Sequence, residues 1–322
     1  MKSLAVLTAA SAAGLLVLAS AAPASAAGNA IDPGDSLYAL NCDNVYNDWQ
    51  LFGVDSTTAF STPIGDGDGY DADLDSCAGQ AAYNPATGKS YYLQWFDDVD
   101  DLGYDEALAS VDVVTGESTQ IGGFYYNNGE FPEYIDVDSI AIGGDGAAYA
   151  LADGSLWELN LETAFVTPVG ETEPDMYSFA WDSKTGGFYG ITYLNEVYQI
   201  DVTDGSTVDL GEIVFPQDGY TWRVYSLQFD KAGTLWVEVD QSGNSIFQAT
   251  LWSLTFDTFT APVYSGVFTD DPFYTESLLI IPGTPAPALA ATGVDSAPIA
   301  AGGAALLLLG AIAVGAVRRR TA

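Results

Sequence analysis

The sequence predicts an all-β fold, a ring of five four-stranded blades closed by a C-terminal strand, and three observations lead there. No segment between Ala27 and Ile281 sustains a helical hydrophobic period. Tyr, Val, Thr, Phe and Trp instead fall in short runs broken by Gly, Asp and Asn, as strands and turns require. Those runs repeat along the chain, and the repeat that lacks an opening strand at its N-terminal end carries a spare one at its C-terminal end.

One half of the repeat reads Leu-Phe-Gly-Val-Asp55 to Gly65, then Leu-Ala-Ser-Val-Asp112 to Gly122. It recurs as Leu-Trp-Glu-Leu-Asn160 to Gly170 and Val-Tyr-Gln-Ile-Asp201 to Gly211, with Asp or Asn always ten residues before Gly. A fifth copy, Thr255 to Gly266, is one residue longer. The spacing describes two strands joined by a turn such as Thr115-Gly116 or Asp204-Gly205. In the other half an aromatic follows a glycine by three: Gly88 and Tyr91, Gly146 and Tyr149, Gly186 and Tyr189, Gly233 and Trp236. Tyr38 stands as the first of that series, and successive members lie 53, 58, 40 and 47 residues apart. Four short strands in that length make a propeller blade. Ser277-Leu-Leu-Ile-Ile281 aligns with the opening strands Ser139-Ile-Ala-Ile, Ser178-Phe-Ala-Trp and Ser226-Leu-Gln-Phe. It therefore supplies the strand that the first blade lacks and leaves no long open edge. Residues 27–281 are thus read as a five-bladed β-propeller. With blades of the form TG-x-x-Y and L-x-x-D-x-x-T-G, the segment resembles the broad class of bacterial β-propellers. The resemblance implies architecture alone, because its motif residues are turns and core aromatics.

Outside the ring the reading is one of export and attachment. Lys2, an apolar run through Leu18 and the small residues Ala24-Ser25-Ala26 make residues 1–26 a signal peptide. Residues 282–288 (PGTPAPA) form an extended spacer. Residues 297–317 carry no charge and, as a helix, span about 30 Å, enough to cross a bilayer. The basic tail 318–322, with its three arginines, stays cytoplasmic. Ahead of the apolar run stands Leu289-Ala290-Ala291-Thr292-Gly293. Motif, span and basic stop together resemble a sortase sorting signal of the LAxTG type found in actinobacterial cell-wall proteins, with Ala290 where the commoner form has proline. The resemblance implies that a sortase cleaves between Thr292 and Gly293 and joins Thr292 to peptidoglycan. The protein is then extracellular and wall-anchored, its precursor crossing the membrane once. A permanent single-span anchor is the alternative.

Charge excludes some partners. Residues 27–292 hold 43 of the 44 acidic residues but only Lys89, Lys184, Arg223 and Lys231 among the basic ones. Nucleic acid and anionic membrane surfaces would be repelled. Such a balance attracts cations or basic partners, and it equally describes a solvated surface. Cys42 and Cys77, the only cysteines, pair naturally as a disulfide in an exported chain.

Histidine is absent, which removes Ser-His-Asp, Cys-His and imidazole–zinc chemistry and leaves carboxylates as the candidate catalysts or ligands. The residue before the recurring serine is Asp138, Tyr177, Tyr225 or Glu276, a set expected to ring one mouth of the central tunnel. Such a ring suits a sugar or a bound cation. Asp138 and Glu276 could alternatively serve as the acid and base of a glycosidase. Asp66, Asp68, Asp71, Asp73 and Asp75 alternate on a Gly-rich loop that suits an oxygen-ligated Ca²⁺ site, though not an EF-hand, and that also suits a solvated connection. No cofactor is otherwise indicated. The expectation is a surface binding or interaction protein whose ligand, a glycan or a protein, the sequence does not name; a carboxylate-dependent extracellular hydrolase is the alternative.

Overall fold

Side-chain capping of tight turns sets the strand pairs. Asp55, Asp112, Asn160 and Asp201 each accept, through Oδ1, the backbone N–H two residues on, at 2.8, 2.8, 2.9 and 2.9 Å. A side chain that satisfies the backbone in this way fixes the reversal between two strands. The recurring Asp or Asn of the repeat is therefore a turn former in every blade where it occurs.

The fold is seen in a computed structural model that describes residues 29–43, 48–65, 76–96, 106–127, 132–216, 220–243, 246–256, 259, 262–268 and 275–283. The predicted signal peptide, acidic loop 66–75, sorting motif and membrane span lie outside these residues, as does most of the spacer. Among the described residues no helix is long and apolar enough to cross a membrane.

Twenty of the twenty-two described strands form five antiparallel sheets of four. The first blade contains β1 (Ser36–Asp43), β2 (Asp48–Val54) and β3 (Ser61–Ile64). The second runs β4 (Ser76–Asn84), β5 (Lys89–Phe96), β6 (Glu106–Val111), β7 (Ser118–Gly123). A two-stranded hairpin, β8 (Tyr125–Asn127) and β9 (Pro132–Tyr134), follows it and accounts for part of the long spacing there. The third blade is β10 (Ser139–Ile142), β11 (Ala148–Ala152), β12 (Ser155–Leu159) and β13 (Val166–Glu171). The fourth is β14 (Ser178–Asp182), β15 (Gly187–Ile191), β16 (Glu196–Ile200) and β17 (Thr207–Glu212). The fifth is β18 (Thr221–Phe229), β19 (Thr234–Gly243), β20 (Ile246–Thr255) and β21 (Val263–Val267). The last strand, β22 (Thr275–Ile281), returns to pair antiparallel with β1, Leu279 opposite Tyr38. The innermost strands touch in the cyclic order β22, β4, β10, β14, β18 and back to β22. The protein is a closed five-bladed β-propeller.

Its core is five apolar cores, one between each pair of neighbouring blades. The aromatic of each blade's second strand packs toward the next blade: Tyr38 against Ala81 and Tyr92, and Tyr91 against Ile140 and Ala150. Tyr149 packs on Phe179 and Phe188, Tyr189 on Leu227 and Phe229, and Trp236 on Leu37 and Leu278. Tyr38 and Trp236 are almost wholly buried, and a large aromatic in such a place contributes about 2–3 kcal/mol by burial.

The recurring glycine ten residues after the turn former has a separate cause. At Gly65, Gly170 and Gly266 it closes the outer strand where the next blade's turn lies directly on it, whereas Gly122 and Gly211 instead hold positive φ angles of 157° and 119°. A Cβ at Gly170 would overlap the carbonyl oxygen of Asp204, and one at Gly266 would overlap that of Thr58. Gly65 meets Thr115 O in the same manner, at 2.6 Å. We predict that Gly170→Ala and Gly266→Ala each lower stability by about 1–3 kcal/mol, the cost of overpacking a rigid backbone contact. Urea denaturation checks this, and an unchanged midpoint for both would disprove the inter-blade role.

Candidate functional site

The channel along the ring axis is plugged by two glutamines. Gln80 reaches across from β4: its Nε2 donates to the Tyr225 carbonyl at 2.6 Å, and its Oε1 accepts from the Ser178 hydroxyl at 3.0 Å. Neither partner belongs to a blade adjacent to β4. Gln228 returns the contact, its Nε2 donating to the Ala81 carbonyl at 2.8 Å. The serines of the repeat, all buried, stitch neighbouring inner strands around this plug. Ser139 Oγ accepts from Phe179 N at 3.1 Å, and Ser226 Oγ accepts from Leu278 N at 2.9 Å.

Two bulges aim the plug and its neighbour. Between Ala78 and Ala81 the register of β4 on β5 slips, leaving Gly79 and Gln80 opposite Leu93 alone. Between Val224 and Ser226 the pairing of β18 on β19 leaves out Tyr225. An extra residue bends a strand and re-aims its side chains. Gln80 thus stands where other blades have serine, and Gly79 where they have Asp138, Tyr177, Tyr225 or Glu276. Gly79 must stay small, because a Cβ there would lie 3.1 Å from the Trp95 ring.

Above Gln80 lies a cup of about 420 Å³, a volume that suits a small ligand. Gln80 is part of its lining; Trp95, Phe96, Tyr177, Tyr193 and Tyr225 line its walls, with Glu106, Asp136 and Asp138 among them. Three of the four residues expected at the mouth, Asp138, Tyr177 and Tyr225, are therefore brought together. The backbone of Glu276 belongs to β22, but its side chain lies outside the described atoms, so the Asp138–Glu276 pairing stays an expectation. Tyr177 and Tyr193 stack at 4.2 Å between centroids, 11° from parallel, and Tyr225 meets Tyr177 edge-on at 6.2 Å. Arg223 lies 5.4 Å from the Tyr193 ring centre. The Tyr177 hydroxyl is buried and has no hydrogen-bond partner among the described residues. Burial, reinforced by Glu238 and the neighbouring tyrosines, holds that hydroxyl well above its ordinary range.

Glu106 was not marked by the repeat, because it follows a hairpin connection whose length differs from blade to blade. It is buried and accepts from Trp95 Nε1 through one oxygen and from Val137 N, at 2.6 Å, through the other. It clasps the second blade to the segment that carries Asp136 and Asp138. Burial pushes its carboxyl from 4.5 up to about 8, against those two hydrogen bonds, with Asp136 and Asp138 adding repulsion. Enclosure in the cup raises Asp138 from 3.8 to about 6, helped by Asp175, Asp153 and Asp136.

The calcium expectation gains no support from this cup: among the described residues no group of three or more His, Cys, Asp or Glu could hold a metal ion. The loop Asp66 to Asp75 lies outside them. No cysteine among the described residues is free, while the Cys42 side chain is not described.

No family model and no curated protein matches the chain. Among solved structures it is similar to the hydrazine synthase of Kuenenia stuttgartiensis, with a TM-score of 0.36 and 12% identity over 67% of this chain and 59% of that one. It is also similar to a calcium-binding protein, regucalcin, from Agrobacterium tumefaciens, with a TM-score of 0.38 and 15% identity over 62% of this chain and 66% of that one. The chain thus spans less than two thirds of either protein, and likeness of this degree carries nothing over to the cup.

Both raised carboxyls hold protons in the folded chain that the unfolded chain has released. Stability should therefore fall as pH rises from about 5 to 8, by up to about 1.4 kcal/mol per pH unit for Glu106 alone. Glu106→Gln should flatten that slope in urea titrations at several pH values. An unchanged slope would show that Glu106 ionises freely in the fold.

Proposed function

We propose that this is an exported, wall-displayed binding protein, whose cup above Gln80 takes an extracellular small molecule or a protruding group of a larger glycan or protein. One observation carries the reading: the plugged axis leaves a one-sided cup with aromatic walls, carboxylates and an unpartnered Tyr177 hydroxyl. Rigid rings on a closed sheet scaffold present contact area at low entropic cost, which is what a binding site requires.

The fold supports a display geometry as well. The inner strands begin at the cup, where Asp138, Tyr177 and Tyr225 stand, and end at the opposite face. The last described residues, from Ile281 at the end of β22 to Gly283, lie on that opposite face, with Pro282 beside Pro85 and Ser183 in a small crevice there. A spacer leaving from that side, joined through Thr292 to peptidoglycan by a sortase, would hold the cup away from the wall. In this proposal Cys42 and Cys77 bridge β1 to β4, strands of adjacent blades, and the loop Asp66 to Asp75 takes Ca²⁺ if it takes any ligand.

A hydrolase with Asp138 and Glu276 as its acid and base stands as the alternative, and Glu106 does not replace Glu276 in it. Both oxygens of Glu106 are engaged by donors, so it is poorly placed to deliver a proton beside Asp138.

Three outcomes test the proposal. A labelled glycan panel offered to the full chain should give retention without shortening, and retention should drop for Asp138→Asn and Tyr193→Ala. Shortened products that vanish in Asp138→Asn would establish the hydrolase instead. Wall-digesting enzyme should release the protein in water-soluble form, whereas complete recovery by detergent alone would leave only a membrane anchor. Chelator should lower the melting temperature by a few degrees if the acidic loop holds calcium, and an unchanged melting temperature removes the metal.

A further inference from the structure

The cup is lined by carboxyl groups and by no cation. Glu106, Asp136 and Asp138 line it, Asp153 and Asp175 lie near enough to raise Asp138, and no basic side chain is among the lining residues. The nearest cation, Arg223, is engaged at the rim, over the Tyr193 ring and bonded to the Tyr225 side chain. The chain as a whole is strongly acidic, so its field draws positive solutes toward such a mouth.

The walls decide which kind of cation fits. Aromatic faces attract a positive charge through the ring quadrupole, and the attraction grows when the site is partly dry. Arg223 on Tyr193 demonstrates this preference with one of the protein's own groups. A hard metal ion instead needs six or more oxygens, and the described residues offer no group of three acidic, Cys or His ligands. A neutral sugar could stack on Trp95, 38% exposed at the cup, but would leave the carboxylates repelling one another. Tyr177 adds an independent pointer: only 8% exposed, it lines the cup and keeps a buried hydroxyl with no partner among the described residues.

We propose that the cup binds an organic cation, an ammonium group on a small body, held near Asp138 and against the aromatic wall formed by Trp95 and Tyr225. This rests on the cup being the ligand site. The ammonium supplies the positive charge that the carboxylates lack. The rings exclude water from it, and the remainder of the ligand extends out of the mouth.

Calorimetry on the full chain tests it, with choline and butylammonium as probes. The comparisons are choline's uncharged isostere, in which carbon replaces nitrogen, calcium chloride and a panel of neutral oligosaccharides. An ammonium probe should bind at least about tenfold more tightly than the isostere. Asp138→Asn should weaken the ammonium by a similar factor, and Trp95→Ala should weaken it as well. Equal affinity for choline and its isostere would overturn the proposal, as would indifference of ammonium binding to Asp138→Asn. Calcium or a neutral oligosaccharide bound in place of ammonium, and lost in the same variants, would overturn it while leaving the cup as a binding site. Failure of every probe to bind, in a chain whose variants melt as the parent does, would remove both readings.

Discussion

The antiparallel seam between β22 and β1 is the constraint on which the rest depends. Alternate residues of β22 serve two different interfaces. Leu278 and Ile280 belong to the apolar core shared with the fifth blade, and Leu279 and Ile281 to the one shared with the second. One seven-residue strand therefore completes both flanks of the first blade while covering the open edge of β1. Without it two of the five inter-blade cores lose their inner walls, and the cyclic contact of innermost strands becomes an open arc. Closure fixes the positions of Gln80, Ser178 and Tyr225, which come from three blades and meet only because the ring is complete.

The cup is made where blades depart from their own repeat. Regular positions supply the frame: capped turns, inter-blade aromatics, serines that accept from the neighbouring strand. The irregular ones supply the site. A bulge swings Gln80 into the axis, a second leaves Tyr225 unpaired in register, and the insertion in the second blade ends in Glu106 and sets Trp95 over Gly79. Symmetry makes five equivalent places around an axis, whereas a ligand needs unlike groups there. Breaking the repeat at the inner strands provides them without disturbing the outer sheets.

The same division explains what could be read from the chain. Turn formers such as Asp112 and Asn160 must have a short side-chain acceptor, and Gly170 must lack a Cβ, so these local demands leave a visible period. Their spacing gave the strand order and the closing strand near Leu278. Asp138, Tyr177 and Tyr225 were legible because they precede the aligned serine. Gln80 escaped because it occupies the serine's own position after a bulge; aligning Gln80-Ala-Ala-Tyr83 with Ser178-Phe-Ala-Trp181 would have exposed it. Trp95 and Glu106 flank a hairpin connection whose length differs from blade to blade, as does the length of the turn that carries Tyr193. Nothing periodic marks any of the three, since they meet only through tertiary structure. The acidic loop Asp66 to Asp75 shows no repeat either, and it falls outside the described residues.

A plugged axis also removes a freedom that propellers otherwise have. With Gln80 and Gln228 crossing the channel in opposite senses, no solute threads the ring, and the two faces become chemically separate. On the opposite face a crevice of about 40 Å³ beside Trp181 and Ile280 is too small for more than a water molecule, and a broader hollow of about 490 Å³ lies by Tyr83, Lys89 and Ile281. The chain departs toward the spacer from that same face. The last described residues and the cup thus lie on opposite sides of the ring, and the cup face is the one where aromatic rings and carboxyl groups converge.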